Sequence, residues 1–537
     1  MKRIIKNIVL CNVAIAILLV SSCKDFLTEE PVNSTYSEAF WKSSRDLSSA
    51  LAGNYALMRN VMNTGNWNPS PSYFMYGDAV AKQYFTIQYT GDGLEGIQNG
   101  DYTFQYNVES FADWRRFFKS ITMSNIILNR VPKVDDALLD DVANPDKFKN
   151  KVMGEAHFLR ALAYFMMVRV WGDVPLVTQE YEDPISAEEL PRSPKTDVMK
   201  QIEADCLKAI ELLDWNYTSQ NDAKVTANKG SAQALLAHLY LWRATTTNVT
   251  VDQPIMADID KAEAAINAIT ANGMYSLTDT ANYYNTFVGK SREGIFEIAI
   301  NDDLREGSNL HIANMFLRTS QIAYYGTNSR CYVNSEYLSN HFYKMGKVWD
   351  WYWNSTIGQW EWREGDVRVI DDGDVRYRKN FTDLDTERPT CIKYHNVKYR
   401  NAAQKQDAFI SNNIIVFRLS DMMLLKAEIA LYRGNTRAAI DIINSFRKRN
   451  GADPTAMLAN TLTNDEVFYE YALERGKEMY LEGHIMFDLI RTRQYKNFVG
   501  WLSESRFKQE GFYWPINPAL FKNNNKLVQT SYWRGKL

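Results

Sequence analysis

The chain has 537 residues and a formal net charge of −3, from 61 basic and 64 acidic side chains. That near balance excludes the electrostatic footprint of a nucleic-acid binder. The 14 Trp, 31 Tyr and 25 Phe are more rings than a soluble core needs, so some are expected on the surface for a purpose.

Lys2, Arg3 and Lys6 form a charged n-region, and Ile8 to Val20 is an apolar stretch too short to span a bilayer. The run Val20-Ser21-Ser22-Cys23 resembles a bacterial lipobox, which implies removal of residues 1–22 and lipidation of Cys23. Several acyl chains, at about 0.8 kcal/mol per buried CH₂, make a stable anchor. Lys24-Asp25 with Glu29 and Glu30 looks like the export tag of lipoproteins displayed on Bacteroides-type cells. Residues 23–537 then read as one domain, with Phe26 to Thr35 as a tether. Of its cysteines, Cys206, Cys331 and Cys391 have no metal spacing and read as buried small side chains, with one disulfide left open.

A first irregular excursion covers about 63–106. Beyond it, Leu159, Leu162, Ala163, Met166 and Val170 keep helical spacing, and Ala232, Leu235, Leu236 and Leu239 repeat the start of that pattern. Both predict helices buried on one side. In Arg418 to Arg449, Ala427, Gly434, Ala439, Ile443 and Phe446 sit at the offsets of a tetratricopeptide helix pair. One pair cannot bury its own face, so pairs are expected to stack, within about 113–275 and again over 418–449. The fold class is therefore mainly α, a tetratricopeptide-like scaffold of helical pairs. Between about 275 and 411 the helical pattern fades, and a stretch that long predicts a separate, irregular and partly β lobe. Binding residues concentrate on such excursions.

That lobe holds the sharpest local signal. Trp349, Trp351, Trp353, Trp360 and Trp362 alternate on either side of a turn at Asn354 to Gly358, which predicts a β-hairpin. If Trp353 lies opposite Trp360, all five rings share one face; a slip of one residue splits them. A flat wall of indoles suits the apolar C–H faces of sugar rings, and Asp350, Arg363, Glu364 and Asp366 are placed to bond hydroxyls. The alternative packs that face against the scaffold.

No motif points to catalysis or a cofactor. Gly289-Lys290-Ser291 imitates the end of a phosphate-binding loop, but Tyr284 stands where the first glycine belongs. His157, His238 and His484 fall in helical stretches and read as satisfied core groups. Asp371, Asp372 and Asp374 read as a turn with solvated carboxylates, with a structural calcium ion left open.

Several segments in order carry a resemblance. They are Cys23 to Pro31, Glu38-Ala39-Phe40-Trp41, Ala50 to Tyr55, Glu155 to Tyr164 and Trp171 to Leu176. Farther on come Arg418-Leu419-Ser420-Asp421, Glu474 to Glu478, Glu482-Gly483-His484, Phe487-Asp488-Leu489 and Trp514-Pro515-Ile516. Together they resemble the SusD/RagB family of outer-membrane nutrient-uptake lipoproteins. The tail Lys526 to Tyr532 lacks the family's usual Asn-Pro-Gly.

The resemblance implies a surface protein that binds an oligosaccharide or polysaccharide and hands it to a SusC-like, TonB-dependent β-barrel on which it sits as a lid. It implies no catalysis. Because family sites draw on both excursions, it adds Trp67, Tyr73, Tyr84, Tyr283 and Tyr284 to the five tryptophans and Arg363 as glycan-binding candidates. Some members bind peptides or glycopeptides instead. A glycosidase would need two buried carboxylates facing the aromatic platform, one with a raised pKa. A purely structural lid would bury the tryptophans.

Overall fold

The computed structural model describes residues 40–63, 70–103, 108–181, 188–304, 306, 311–317 and 329–537. The signal segment, Cys23, the tether and Trp67 lie outside the described residues.

The scaffold is built from α1 (Ser44–Asn63), α2 (Arg115–Arg130), α3 (Pro145–Trp171), α4 (Lys195–Leu212), α5 (Lys229–Thr246) and α6 (Met256–Asn272). It resumes with α7 (Leu419–Tyr432), α8 (Thr436–Arg449), α9 (Asn464–Glu478) and α10 (Ile485–Arg491). Helices α1 to α9 pack each on the next in chain order, and α6 meets α7 although about 145 residues of lobe are inserted between them. That serial stacking is what a helical-pair repeat requires.

The pair α7/α8 matches its sequence signature. Gly434 turns the chain with φ +70°, where a side chain would be strained, and Ala427, Ala439, Ile443 and Phe446 are buried between the helices. For α3 the expectation of one buried side is corrected: every residue from Phe158 to Val168 is buried. The helix is sandwiched among α1, α2 and α4, so it has no solvent face over its central turns. The same holds for most of α5.

The lobe is assembled from two-stranded antiparallel pieces. Strand β1 (Phe85–Ile87), from the first excursion, pairs with β3 (Cys331–Val333), from the second, so the two excursions are stitched together. Strand β2 (Gly294–Ile298) pairs with the strand Ile414–Arg418 that leads into α7. The largest piece is the hairpin of β4 (Tyr343–Asn354) and β5 (Gln359–Ile370). All three cysteines of the body are buried and free, so the open disulfide does not form.

Lobe and scaffold are joined by buried charge. Arg418 bonds Glu293 at 2.6 Å, Glu478 at 2.8 Å and Glu482 at 2.8 Å, while Arg376 bonds Asp374, Glu474 and Glu478. Lys393 bonds Glu482 at 2.6 Å, and Arg475 bridges Asp421 and Asp488. All of these side chains are buried. Each pairing satisfies a group whose desolvation alone would be costly.

Candidate functional site

The hairpin β4–β5 has twelve residues in each strand, about 40 Å at ~3.4 Å per residue. Its base is fixed. Tyr343 is buried with the Arg368 guanidinium 3.9 Å from its ring centre, Arg368 bonds Glu470 at 3.1 Å, and Thr455 Oγ1 donates to the Met345 carbonyl at 3.1 Å. From Val348 to Gly365 the side-chain hydrogen bonds stay within the ribbon. At the tip Gly358 N donates to the Asn354 carbonyl at 2.8 Å, and Gly358 has φ +66°.

The register pairs Trp351 with Trp362 and Trp353 with Trp360, with Trp349 opposite Glu364. Directly opposed residues share a face, so all five indoles stand on one side of the ribbon. They are 53–61 % exposed, which rules out packing of this face against the scaffold. The rungs of Trp349 and Trp353 are four residue steps apart, about 14 Å of aromatic surface.

Three expectations about this face are corrected. The wall is not flat: the paired indoles meet at 62° and 64° with ring centres 5.7 Å apart, the edge-to-face geometry that ring quadrupoles favour. Arg363 and Asp350 oppose each other on the back of the ribbon, so they do not flank the indoles. There the Arg363 guanidinium lies 4.7 Å from the Tyr352 ring, which itself crosses Gly365; a Cβ at Gly365 would meet that ring at 2.3 Å. Glu364, with Lys347 at 3.7 Å, and Asp366 do share the indole face.

Three of the four tyrosine candidates, Tyr73, Tyr84 and Tyr283, are buried. Tyr84 is buried with its ring against Tyr337, His341 and Phe498, and burial pushes its hydroxyl far above the ordinary range. Tyr73 is buried beside a cavity of about 30 Å³, room for one water and not for a sugar. Tyr283 is buried and accepts a hydrogen bond from Asn380 at 2.9 Å; Tyr284 is half-buried, with its hydroxyl donated to the Lys379 carbonyl. What the first excursion does offer is a groove of about 490 Å³ lined by Lys82, Gln83, Asn334, Phe498 and Trp501. Trp501 was missed because it is far from the excursions in sequence; its indole N–H donates to the Val80 carbonyl at 3.1 Å.

Of Asp371, Asp372 and Asp374, only Asp372 is the solvated turn carboxylate expected. Asp371 and Asp374 are buried: the first accepts from Gly373 N and Asp453 N, and the second holds Arg376 and caps the helix after it. Among the described residues, three ligand-type atoms converge only at His238, Asp421 and His484, within 4.8 Å. There Asp421 already bonds His238 at 2.6 Å and Arg475 at 2.6 Å.

A stacked helical-pair scaffold with an inserted lobe that raises an aromatic face into solvent defines a mainly-α protein of the helical-repeat class. Residues 25–241 match a family described as starch-binding and associating with the outer membrane, and residues 292–533 match the SusD family. The chain belongs to the SusD/RagB family. It is 24 % identical to a SusD-like protein, P38, of Formosa agariphila over 96 % of this chain and 97 % of that one. A SusD homologue from Bacteroides thetaiotaomicron shares the fold with a TM-score of 0.73 at 23 % identity, over 92 % of this chain and 99 % of its own. NanU of B. fragilis superposes with a TM-score of 0.69 at 21 % identity, over 93 % and 99 %.

Proposed function

We propose that this protein is a lipid-anchored glycan receptor on the outer face of the outer membrane, which captures an oligosaccharide or polysaccharide and delivers it to a SusC-like TonB-dependent transporter. The observation that carries the binding role is the set of five indoles, each more than half exposed, on one face of a ribbon clear of the scaffold. Exposed apolar surface on this scale marks a binding site. The family description, starch-binding and associating with the outer membrane, supports both the ligand class and the place. No helix among the described residues is long and apolar enough to cross a membrane. The anchor in this reading is lipid on Cys23, on the strength of the lipobox-like Val20-Ser21-Ser22-Cys23.

The reading is binding without catalysis. Glu364 and Asp366, the carboxylates of the indole face, are exposed. The carboxyls that burial pushes up, Asp78 to about 8, Glu155 to about 7 and Glu297 above its ordinary value, sit in the body of the molecule and away from the ribbon.

Isothermal calorimetry tests this on the soluble chain starting after Cys23, against soluble starch, xylan, yeast mannan, pectin, alginate and chondroitin sulfate. Binding to one glycan class is expected, weakened about tenfold or more in the double variant Trp351→Ala/Trp362→Ala with an unchanged thermal midpoint. Binding undiminished by those substitutions moves the site off the ribbon, and no binding across the panel sinks the glycan reading in favour of a peptide ligand.

A further inference from the structure

A second and wider groove lies between the first turns of α3 and the connection from α4 to α5, enclosing about 1250 Å³. Small-ligand pockets run to about 1,000 Å³, so this one has room for an extended ligand. Its aromatic lining is Phe148 from α3 with Trp215 and Tyr217 from the connection, all half-buried with part of each ring open. Between them stand the Asn150 amide and the pair Lys147 and Asp214, bridged at 2.7 Å with both side chains well exposed.

The wall that carries the rings is preorganised. Lys229 N donates to the Asp214 carbonyl at 3.0 Å, Asn228 Nδ2 donates to the Trp215 carbonyl at 2.7 Å, and the Tyr217 hydroxyl donates to the Ile295 carbonyl at 3.2 Å. Asn228 is itself held as the N-cap of α5 by a reciprocal bond with Ser231. Below the loop, Leu213 presses on Gly154 of α3, where a Cβ would stand 2.7 Å from the leucine Cγ. Binding therefore does not have to order these groups first.

Ring faces interleaved with amide, carboxylate and ammonium groups match a ligand whose surface alternates apolar C–H patches with hydroxyls. Acidic and basic groups are mixed along the walls, which selects against a strongly charged ligand. We infer that this groove is a second saccharide site, taking an extended neutral oligosaccharide independently of the tryptophan ribbon. For its ligand class the inference rests on the glycan-binding reading above.

The same soluble chain and panel test it in the Trp351→Ala/Trp362→Ala background, where the ribbon platform is gone. Residual binding to a neutral glycan is expected, weakened about tenfold or more by adding Trp215→Ala, with amides of 212–227 protected from hydrogen exchange when the glycan is added. If Trp215→Ala lowers the thermal midpoint, the exposed pair Lys147→Ala/Asp214→Ala replaces it, and the exchange measurement on the intact protein needs no variant. Wild-type binding that vanishes with the ribbon variant overturns this inference and leaves the ribbon reading standing. Residual binding indifferent to the groove variants, without protection of 212–227 or confined to alginate, pectin or chondroitin sulfate, also overturns it. Residual binding as strong as wild type and lost with Trp215 keeps the groove and removes the ribbon. No binding by the wild type in the whole panel removes both.

Discussion

Glu155 on α3 shows how much one buried carboxyl controls. It is 1 % exposed, the Tyr55 hydroxyl donates to it at 2.5 Å, and Lys151 stands 3.8 Å away. Burial pushes its pKa up to about 7, with Lys151 and the tyrosine pulling back. The folded state therefore favours the acid form. The associated stability is fully present below the unfolded value near 4.5 and is lost as pH rises through about 7. Glu155→Gln, which keeps an acceptor for Tyr55, should match the wild type at pH 5 and exceed it by roughly 1–3 kcal/mol at pH 8. Chemical denaturation at the two pH values checks this. At this scale the sequence was a poor guide to exposure. Tyr73, Tyr84 and Tyr283 sit among Gly, Asn and Asp as surface residues do, and nothing local says that β1 pairs with a strand about 245 residues later and draws Tyr84 inside. Five tryptophans alternating around a turn are legible as one shared face, but its exposure is decided by the β4–β5 ribbon standing clear of the scaffold and not by the spacing.

For the hairpin as an element, strand parity restricts the register to those that set odd β4 positions opposite even β5 positions, all of which gather the five rings, and the structure adopts the one with Trp353 opposite Trp360. Parity also fixes the back face: Arg363 is odd where Trp360 and Trp362 are even. What stayed hidden was the ring angle, which depends on quadrupoles and not on spacing. The edge-to-face pairs also explain how a ribbon with little support stays folded, at about 0.5–1.5 kcal/mol for each pair. Trp353→Ala should fray the tip, abolishing one of two exciton-coupled indole pairs in circular dichroism while the pair Trp351 and Trp362 persists. Replacing residues 347–366 by Asn-Gly should shift the thermal midpoint by no more than about 3 °C, because the base contacts of Tyr343, Met345 and Arg368 lie outside the deletion. A larger drop would mean that the ribbon braces the lobe. The helices divide in the same way. The α7/α8 pair was legible from its small residues and turn glycine, whereas the all-round burial of α3 came from the number of neighbours, which its own spacing does not encode.

Across the whole molecule, the segments that mark the family, Arg418 to Asp421 and Glu474 to Asp488, supply two buried ion clusters: Asp421, Arg475 and Asp488 tie α7, α9 and α10 together, while Arg418, Glu474, Glu478 and Glu482 reach the lobe. In the second, the charges meet Glu293, Arg376 and Lys393 of the inserted lobe, so partners 60 to 125 residues apart close a single buried cluster. Removing one member strands the others. Arg418→Ala should cost about 3–5 kcal/mol, read as a fall in the denaturation midpoint. The two clusters also set the acid limit. Burial raises the Glu474 pKa, but Arg376, Lys477 and Arg447 outweigh it and hold the carboxyl at about 2; Arg418 and Arg376 hold Glu478 lower still. Asp421, Glu482 and Asp488 are likewise held down against burial by His238, Arg418 and Arg475. These depressed values make the linkage opposite to that of Glu155: the stability is present above about pH 4.5 and is lost as pH falls through about 2. The midpoint by scanning calorimetry should therefore decline steeply between pH 4.5 and 2, with lobe and scaffold unfolding in one transition because the charges that protonate are the ones that join them. Two separated transitions in acid would show that the lobe is held by its apolar contacts and that the second cluster is dispensable for joining it.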